Sequence, residues 1–287
     1  MKKRPYYSIR TGRRADKHLA LVDLPLLRRL VCDVYKIFEA KDYFQEAFGY
    51  YCVDEGYVPG NLGWDVEVQV SLSLRKMDLW PIEDRCSEYS EDDLFDVIEF
   101  LFDCVSKPID GYYHSFNNCG WHYSEFDQET GQGEFRAEIN ELLRDYENGY
   151  EISREGEILA LAEPGLDHLY QADLPDYDPE NVEKRVNAAV LKFRRYRSAI
   201  EDRRDAIRDL ADVLEFLRPK LKQVLTSRDE SDLFNIANNF GIRHHREGQK
   251  TNYDKSIWYS WMFYYYLATI HASLRLIKKY EHSASKE

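Results

Sequence analysis

Two histidines and two arginines stand side by side in residues 238–249, NNFGIRHHREGQ. An imidazole titrates near neutral pH and can accept a proton from a ribose hydroxyl. A guanidinium binds a phosphate through two parallel, charge-assisted hydrogen bonds. This segment therefore holds the groups needed to cleave a phosphodiester without a metal, more densely than any other part of the chain.

The same segment also fits a purely structural role. Arginine and histidine side chains at a helix end can bind the last carbonyl groups and balance the negative end of the helix dipole. Gly241 or Gly248 would then end the helix in a left-handed conformation. The residue types alone leave both interpretations open.

A second polar group, His114, Cys119 and His122, has side chains that zinc accepts as ligands. Cys-x-x-His with one more histidine five residues earlier lacks the second ligand pair of an ordinary structural zinc site. The sequence therefore predicts a packed aromatic loop with a buried thiol, and no metal or other cofactor.

A basic run with interleaved aromatic residues, Lys192 to Arg197, is followed by Arg203 and Arg204. Such a stripe on a helix can face RNA. Because acidic residues interrupt it, a solvated helix face with ion pairs is the competing interpretation, and the one we favour.

Composition limits the classes of function. The 287 residues are 44% hydrophobic and 14% aromatic, enough for a substantial core in one or two units. The formal charge of −13 opposes general binding to nucleic acid, so any RNA contact requires a local basic patch.

The five cysteines all lie in the first 119 residues and form no Cys-x-x-Cys pair. Neither a disulfide framework nor a zinc ribbon is indicated, and a reducing cytoplasm fits best. The basic start lacks the apolar core of a signal peptide. The longest apolar run, residues 257–270, is too short for a membrane span, so no membrane partner is expected.

In the N-terminal half, helical patterns alternate with segments rich in turn residues. Asp23 is an expected N-cap for a long amphipathic helix that continues to Ala47. Ser90 precedes three acidic residues and an apolar run, which predicts a capped helix ending near Lys107-Pro108. Residues 66–76 fit a strand and a helix equally, and the pattern does not decide between them.

The middle of the chain is richer in aromatic residues and glycines. Between Lys107-Pro108 and Gly133 we expect an aromatic loop, which is followed by a helix from Phe135 to Asp145. Residues 149–161 alternate around a turn and predict a small β-hairpin.

The C-terminal third has the pattern of a helical bundle. The acidic, proline-bearing residues 173–179 are the expected linker, and a long helical pattern runs from Glu180 to Leu225, which Pro219 should kink or end. A short helix then leads into the Arg-His-His segment. Asp254 caps a final helix, apolar nearly all round, to about Tyr280.

The Asn-Asn-Phe-Gly-Ile-Arg-His-His segment, placed between a long helix pair and the aromatic helix around residues 258–266, resembles the HEPN superfamily. More narrowly, it is similar to the HEPN-like C-terminal regions of bacterial abortive-infection (AbiJ-like) proteins. Residues 138–152 resemble the small domain that accompanies such regions. The resemblance covers the second half to two thirds of the chain and excludes residues 1–90.

The resemblance implies a helical bundle that dimerises and pairs two Arg-polar-x-x-x-His motifs into a metal-independent endoribonuclease. It implies Arg243 and His244 as catalytic residues, with His245 as the substitute imidazole, and Asn239 and Arg246 as binders of RNA phosphate. The transferable chemistry is general acid–base catalysis with electrostatic stabilisation. This chain departs from the motif, since Asn239 stands five residues before His244, where the family has arginine.

The predicted fold is mainly α: a HEPN-like helical bundle over 178–287, a small α+β domain with a β-hairpin over 91–172, and a helical region of unknown role over 1–90. The expected function is RNA cleavage, with tRNA as one candidate substrate, by a cytoplasmic homodimer in phage defence. The alternative is a non-catalytic module that binds a nucleotide, RNA or a partner protein of a defence system.

Overall fold

A computed structural model describes residues 7–12, 22–161, 166, 169–170, 172–226, 233–234, 242 and 253–284. The chain forms two compact units, Met1–Ala160 and Leu161–Glu287. The predicted mainly α character is confirmed, and all the strands found in the described residues belong to the first unit.

The first unit contains seven helices and six short strands among its described residues. In chain order they are α1 (Tyr7–Arg10), α2 (Leu24–Glu39), α3 (Gln45–Phe48), β1 (Tyr50–Cys52), β2 (Gly56–Val58), α4 (Val66–Leu74), α5 (Ile82–Arg85), α6 (Glu91–Cys104), β3 (Lys107–His114), β4 (Gly120–Asp127), α7 (Gln128–Leu143), β5 (Tyr150–Ile152) and β6 (Ile158–Ala160).

The core of this unit lies between α2, α6 and α7, which contact one another. On α7, Phe135, Ile139 and Leu143 are fully buried at a spacing of four, which places them on one helix face. Leu94 and Ile98 of α6 show the same spacing and burial. α7 therefore buries one apolar stripe, whereas α6 is buried around most of its circumference.

Side-chain caps fix where α2 and α6 begin, as predicted from the sequence. The Asp23 carboxylate accepts a hydrogen bond of 2.9 Å from the backbone N–H of Leu26. Ser90 and Asp93 form a reciprocal capping box at the start of α6. Asp93 also pairs with Lys76.

The strands form three antiparallel hairpins within the described part of the chain, β1–β2, β3–β4 and β5–β6. The last confirms the predicted hairpin. The segment predicted as an aromatic loop up to Gly133 is instead the β3–β4 hairpin and the start of α7, and the adjacent residues Tyr112 and Tyr113 point to opposite sides of the hairpin. Residues 66–74, which the sequence left open, form a helix capped by Asp65.

The second unit is helical in its described residues. A π-helical turn (Pro179–Glu183) leads into α8 (Lys184–Arg194), and α9 (Ile200–Val224) and α10 (Lys255–Ala284) follow. Asp254 accepts hydrogen bonds from the first turn of α10, as predicted. The inner faces of α8, α9 and α10 form one apolar cluster, in which Phe193 stacks on Phe263 with ring centroids 3.9 Å apart.

Several predicted helix boundaries were wrong. The helix expected from Phe135 to Asp145 runs from Gln128 to Leu143, because the Asp127 side chain caps it earlier in the chain. The helix expected to reach Ala47 ends at Glu39, and α3 follows as a separate turn. The pattern from Glu180 to Leu225 is broken at residues 195–199, where Arg197 has a φ of 49°. Pro219, which was expected to kink or end the helix, does not end it and lies inside α9, five residues before its last residue.

Candidate metal centre

Four side chains with metal-binding atoms meet in the first unit: Cys52, His114, Cys119 and His122. Their sulfur and nitrogen ligand atoms all lie within 4.8 Å of one another. Cys52 ends β1 and His114 ends β3, Cys119 directly precedes β4, and His122 is its third residue. The tips of two separate hairpins thus supply one Cys₂His₂ cluster.

The spacing of the ligand atoms suits a zinc ion. Cys52 Sγ lies 3.7 Å from His114 Nδ1, and Cys119 Sγ lies 3.2 Å from His122 Nε2. A tetrahedral Zn²⁺ with bonds of about 2.3 Å to sulfur and about 2.0 Å to nitrogen sets neighbouring sulfur and nitrogen atoms roughly 3.5 Å apart. The two observed distances bracket this value.

Local backbone conformations bring His114 and Cys119 together. The five residues between the paired ends of β3 and β4 form a tight reversal in which Asn117 and Asn118 are left-handed, a conformation that asparagine tolerates better than most residues. At the far side of the reversal, Gly120 has a φ of 106°, outside the range of other residues.

Close contact between β3 and β4 depends on a glycine. A Cβ atom at Gly111 would lie 2.2 Å from the carbonyl oxygen of His122. Any larger residue there would push the strands apart at the position of a proposed ligand.

Each histidine has a partner on the nitrogen that faces away from the cluster. His122 Nδ1 lies 2.6 Å from the Tyr112 hydroxyl, and His114 Nε2 lies 3.2 Å from an Asp54 carboxylate oxygen. With Nε2 of His122 on a metal, Nδ1 carries the hydrogen and donates it to Tyr112. A metal-bound histidine almost always has a hydrogen-bond partner on its other ring nitrogen, because that partner fixes the tautomer and the orientation of the ring.

The centre is largely shielded from water. Cys52 and His122 are 2% and 3% exposed, and His114 and Cys119 are partly buried. The His122 ring packs against Tyr50, with ring centroids 4.3 Å apart. Four protein ligands in a shielded site are typical of structural zinc, whereas catalytic zinc keeps one position open for water.

A buried glutamine holds β4 against α3. The side chain of Gln45 donates to the Trp121 carbonyl at 3.0 Å and accepts from the Tyr123 N–H at 2.7 Å. One amide thus satisfies two backbone groups on the outer side of β4. His122 lies between these two residues and is positioned by the same contacts.

The site residues predicted from the sequence, Asn239, Arg243, His244, His245 and Arg246, lie outside the described residues, as does the short helix expected before them. Their neighbour Ile242 is described, and it is buried in the apolar cluster of the second unit. The catalytic assignments therefore stay predictions.

The sequence pattern predicted no metal here, although it identified His114, Cys119 and His122 as side chains that zinc accepts, and it did not include Cys52. The prediction against zinc rested on the absence of a second ligand pair close to Cys119 and His122 in the sequence. The missing ligand stands 62 residues before His114, on another hairpin. The sequence feature that could have pointed to Cys52 is its position directly before a tight turn, across which it pairs with Gly56.

The basic run of α8 has packing partners in the second unit. Lys192 pairs with Asp209, and the buried Arg194 stacks on the Tyr170 ring at 4.4 Å. Ion pairing agrees with the favoured interpretation of this run, although Arg194 is buried and not solvated.

The chain matches no protein-family model, no curated protein and no solved structure. Among the described helices, none combines the length and the apolar character needed to cross a membrane.

Proposed function

We propose that the first unit is a zinc-stabilised recognition module, in which Cys52, His114, Cys119 and His122 hold one Zn²⁺. The observation that carries this proposal is the meeting of two thiols and two imidazoles from separate hairpins within 4.8 Å. Two thiolates neutralise the charge of one Zn²⁺, so the filled centre suits a shielded site.

The role assigned to the metal is structural. Isolated two-stranded hairpins are at best marginally stable in water. A metal bound between the tips of β1–β2 and β3–β4 ties both hairpins together, and its binding free energy adds to the stability of the folded unit. Because all four ligand positions belong to the protein, we assign the unit to binding and not to metal-dependent hydrolysis.

Metal content tests the proposal directly. We expect the purified protein to bind one equivalent of zinc, and Co²⁺ to replace it with the visible spectrum of a tetrahedral, thiolate-containing site. Cys52→Ser and His122→Asn should each abolish that spectrum. Cys32→Ala and His282→Gln, which remove a thiol and an imidazole outside the cluster, should leave it unchanged. Failure of the folded wild-type protein to bind either metal would refute the proposal.

We also propose a second function, an RNA-cleaving or RNA-binding role for the second unit as a homodimer in bacterial defence. Its support is the resemblance of segment 238–249 to HEPN proteins, together with the helices that precede and follow it, α9 and α10. In this proposal Arg243 and His244, or His245 in its place, act on the RNA, and Asn239 and Arg246 bind its phosphates.

Cleavage assays separate the two versions of this second proposal. The nuclease should cut total RNA or tRNA without added metal and leave cyclic-phosphate ends, and a His244→Ala, His245→Ala double variant should be inactive. RNA binding that persists in this variant, with no cleavage by the wild type, would favour the non-catalytic module. A wild-type dimer that neither cuts nor binds RNA would contradict both versions.

A further inference from the structure

A cavity of about 470 Å³ in the first unit is walled mainly by aromatic rings, those of Tyr35, Phe48, Tyr57, Trp64 and Trp80. Tyr57 and Trp64 form an edge-to-face pair with ring centroids 6.1 Å apart, and Phe48 and Trp80 form another at 5.1 Å. The ring planes meet at 62° in the first pair and at 77° in the second, so the rings stand as walls at steep angles to one another. We call this cavity the aromatic cage.

A close approach of two backbone segments at Gly49 brings the rings together. Gly49 follows Phe48 and lines the cage, and its φ is 81°. A Cβ atom there would lie 2.1 Å from the carbonyl oxygen of Val58 in β2. The hydroxyl of Tyr57, also in β2, donates a hydrogen bond to the Phe48 carbonyl. The fold therefore sets the positions of the rings before any ligand binds.

Three carboxylates, those of Glu39, Asp65 and Glu67, line the same cavity. Two of them lie close to its phenol rings. Burial and then the charge of Asp65 raise the pKa of Tyr57, and burial and then the charge of Glu39 raise the pKa of Tyr35. Among the described residues that line the cage, none is basic. The cage therefore combines ring faces with negative charge that no lining side chain balances.

A further carboxylate beside Glu39 adds to this charge. Burial raises the pKa of Glu39, and the charge of Glu83 and a hydrogen bond with its side chain raise it further. Lys36, one turn earlier on α2, acts in the opposite direction but does not outweigh them. A cation bound near Glu39 would reduce the repulsion between these two carboxylates.

We propose that the aromatic cage binds a quaternary ammonium group. The methyl groups of such a cation pack against tryptophan, tyrosine and phenylalanine rings, and its charge is attracted by the ring faces and by the carboxylates. It has no N–H group, so burial between rings costs it no hydrogen bond, whereas a primary ammonium would give up its hydrogen bonds to water. Choline-like molecules and the trimethylated lysine side chain of a partner protein share this group.

The inference names a ligand for the recognition role proposed for the first unit, and it rests on that role. The residues of the cage and the four proposed zinc ligands are different sets. They share one hairpin, because β1 contains Cys52 and β2 contains Tyr57. Zinc would therefore stabilise the cage without taking part in binding.

The test is isothermal titration calorimetry of the full-length protein with choline, with zinc measured in every sample. We expect choline to bind about tenfold more tightly than its neutral isostere, in which a tert-butyl group replaces the trimethylammonium group. Trp64→Ala should weaken choline binding about tenfold, and the variant should fold because this side chain is 75% exposed. Asp65→Asn should weaken it severalfold and keep the cap of α4, since asparagine caps helices as well as aspartate does.

The matched controls are Trp261→Ala, at an exposed tryptophan of α10, and Glu138→Gln, at an exposed carboxylate of α7. Both should bind choline like the wild type. Equal binding of choline and its neutral isostere would reduce the cage to an apolar cavity and overturn the inference. Equal losses in the test variants and their controls would overturn it as well.

A peptide that contains one trimethyllysine distinguishes the two sources of the cation. Binding tighter than that of choline, and lost in the unmethylated peptide, would assign the cage to a methylated partner protein. Choline binding at least as tight would assign it to a free small molecule. Binding of either cation by a protein without zinc would uphold the cage and refute the metal centre, whereas full zinc with no binding of either cation would refute the cage alone.

Discussion

Tyr112 and His122 face each other across the β3–β4 pair, with the phenolic oxygen 2.6 Å from Nδ1 of the imidazole. This contact leaves Nε2 of His122 directed at Cys119 Sγ, 3.2 Å away. A tyrosine on one strand thus sets the orientation of a ligand on the other.

Removing the Tyr112 hydroxyl should weaken zinc binding without unfolding the unit. Loss of a partner to a metal-bound histidine lowers affinity by about 10- to 100-fold, and we expect Tyr112→Phe to fall near the lower limit because the ring still packs on His122. Competition with a chromophoric chelator measures the change. Tyr113→Phe, the adjacent residue on the other side of the hairpin, is the control, and equal affinities for the two variants would contradict the assigned geometry.

Chelation should loosen the hairpins and leave the second unit unchanged. Zinc at about 100 times its dissociation constant stabilises the form that binds it by about 2.7 kcal/mol. Hydrogen exchange followed by mass spectrometry should show protection lost from β1 to β4 on chelation and regained with zinc, with α10 as the internal reference. Unchanged exchange in β3 and β4 would count against a structural metal.

Replacing Gln45 by alanine should destabilise the first unit. The change leaves the Trp121 carbonyl and the Tyr123 N–H without their side-chain partner. Because both hydrogen bonds are only partly buried, we expect a loss of about 1 kcal/mol, the lower end of the range for an unsatisfied polar group. Urea denaturation monitored by far-UV circular dichroism, with zinc present throughout, measures the loss. Glu138→Ala on the exposed side of α7 serves as the control, and a similar small change in both variants would show that the contacts contribute little.

The capping box at the start of α6 predicts a pH dependence. Burial alone would raise the pKa of Asp93, but hydrogen bonds from Lys76 and Ser90 outweigh it and hold the pKa below its usual value of 3.8. The carboxylate therefore contributes its full stabilisation above that value, and the contribution is lost as pH falls through the lower, folded-state pKa. Asp93→Asn should be less stable than the wild type by about 1 kcal/mol at pH 6, with the difference shrinking towards pH 3.

Asp96, on the same helix, provides a control of opposite sign. Burial, then the charges of Asp93 and Asp92, raise its pKa. Its neutral form is therefore favoured in the folded state, and stability from this group is lost as pH rises through the folded-state pKa. Asp96→Asn should gain stability relative to the wild type at neutral pH. A constant difference across pH for both variants would contradict these assignments.

Local chemistry made parts of the fold predictable. Asp23, Ser90 and Asp254 cap helices through side-chain hydrogen bonds that span two or three residues, so the sequence around each cap contains the whole signal. The β5–β6 hairpin was predictable for the same reason, since its strands pair around a short turn.

Non-local contacts account for what was missed. The aromatic segment around Tyr112 and Trp121 was predicted as a loop because its strands pair irregularly and each contains a glycine. Cys52 could not be assigned to the cluster, because only the folded chain places β1 beside β4. The break at residues 195–199 also lacked a signal, since neither glycine nor proline marks it.

The position of Cys52 has a consequence for the order of folding. His114, Cys119 and His122 lie within nine residues and are ready to bind zinc as soon as that stretch exists, whereas Cys52 must close a loop over the 62 residues to His114. The entropic free-energy cost of closing such a loop is roughly 4 kcal/mol. This cost is small beside the binding free energy of structural zinc sites, roughly 10–16 kcal/mol. Zinc bound first by His114, Cys119 and His122 would therefore position the β1–β2 hairpin by binding Cys52. The metal would then be a late cross-link between two segments of the chain that are synthesised at different times.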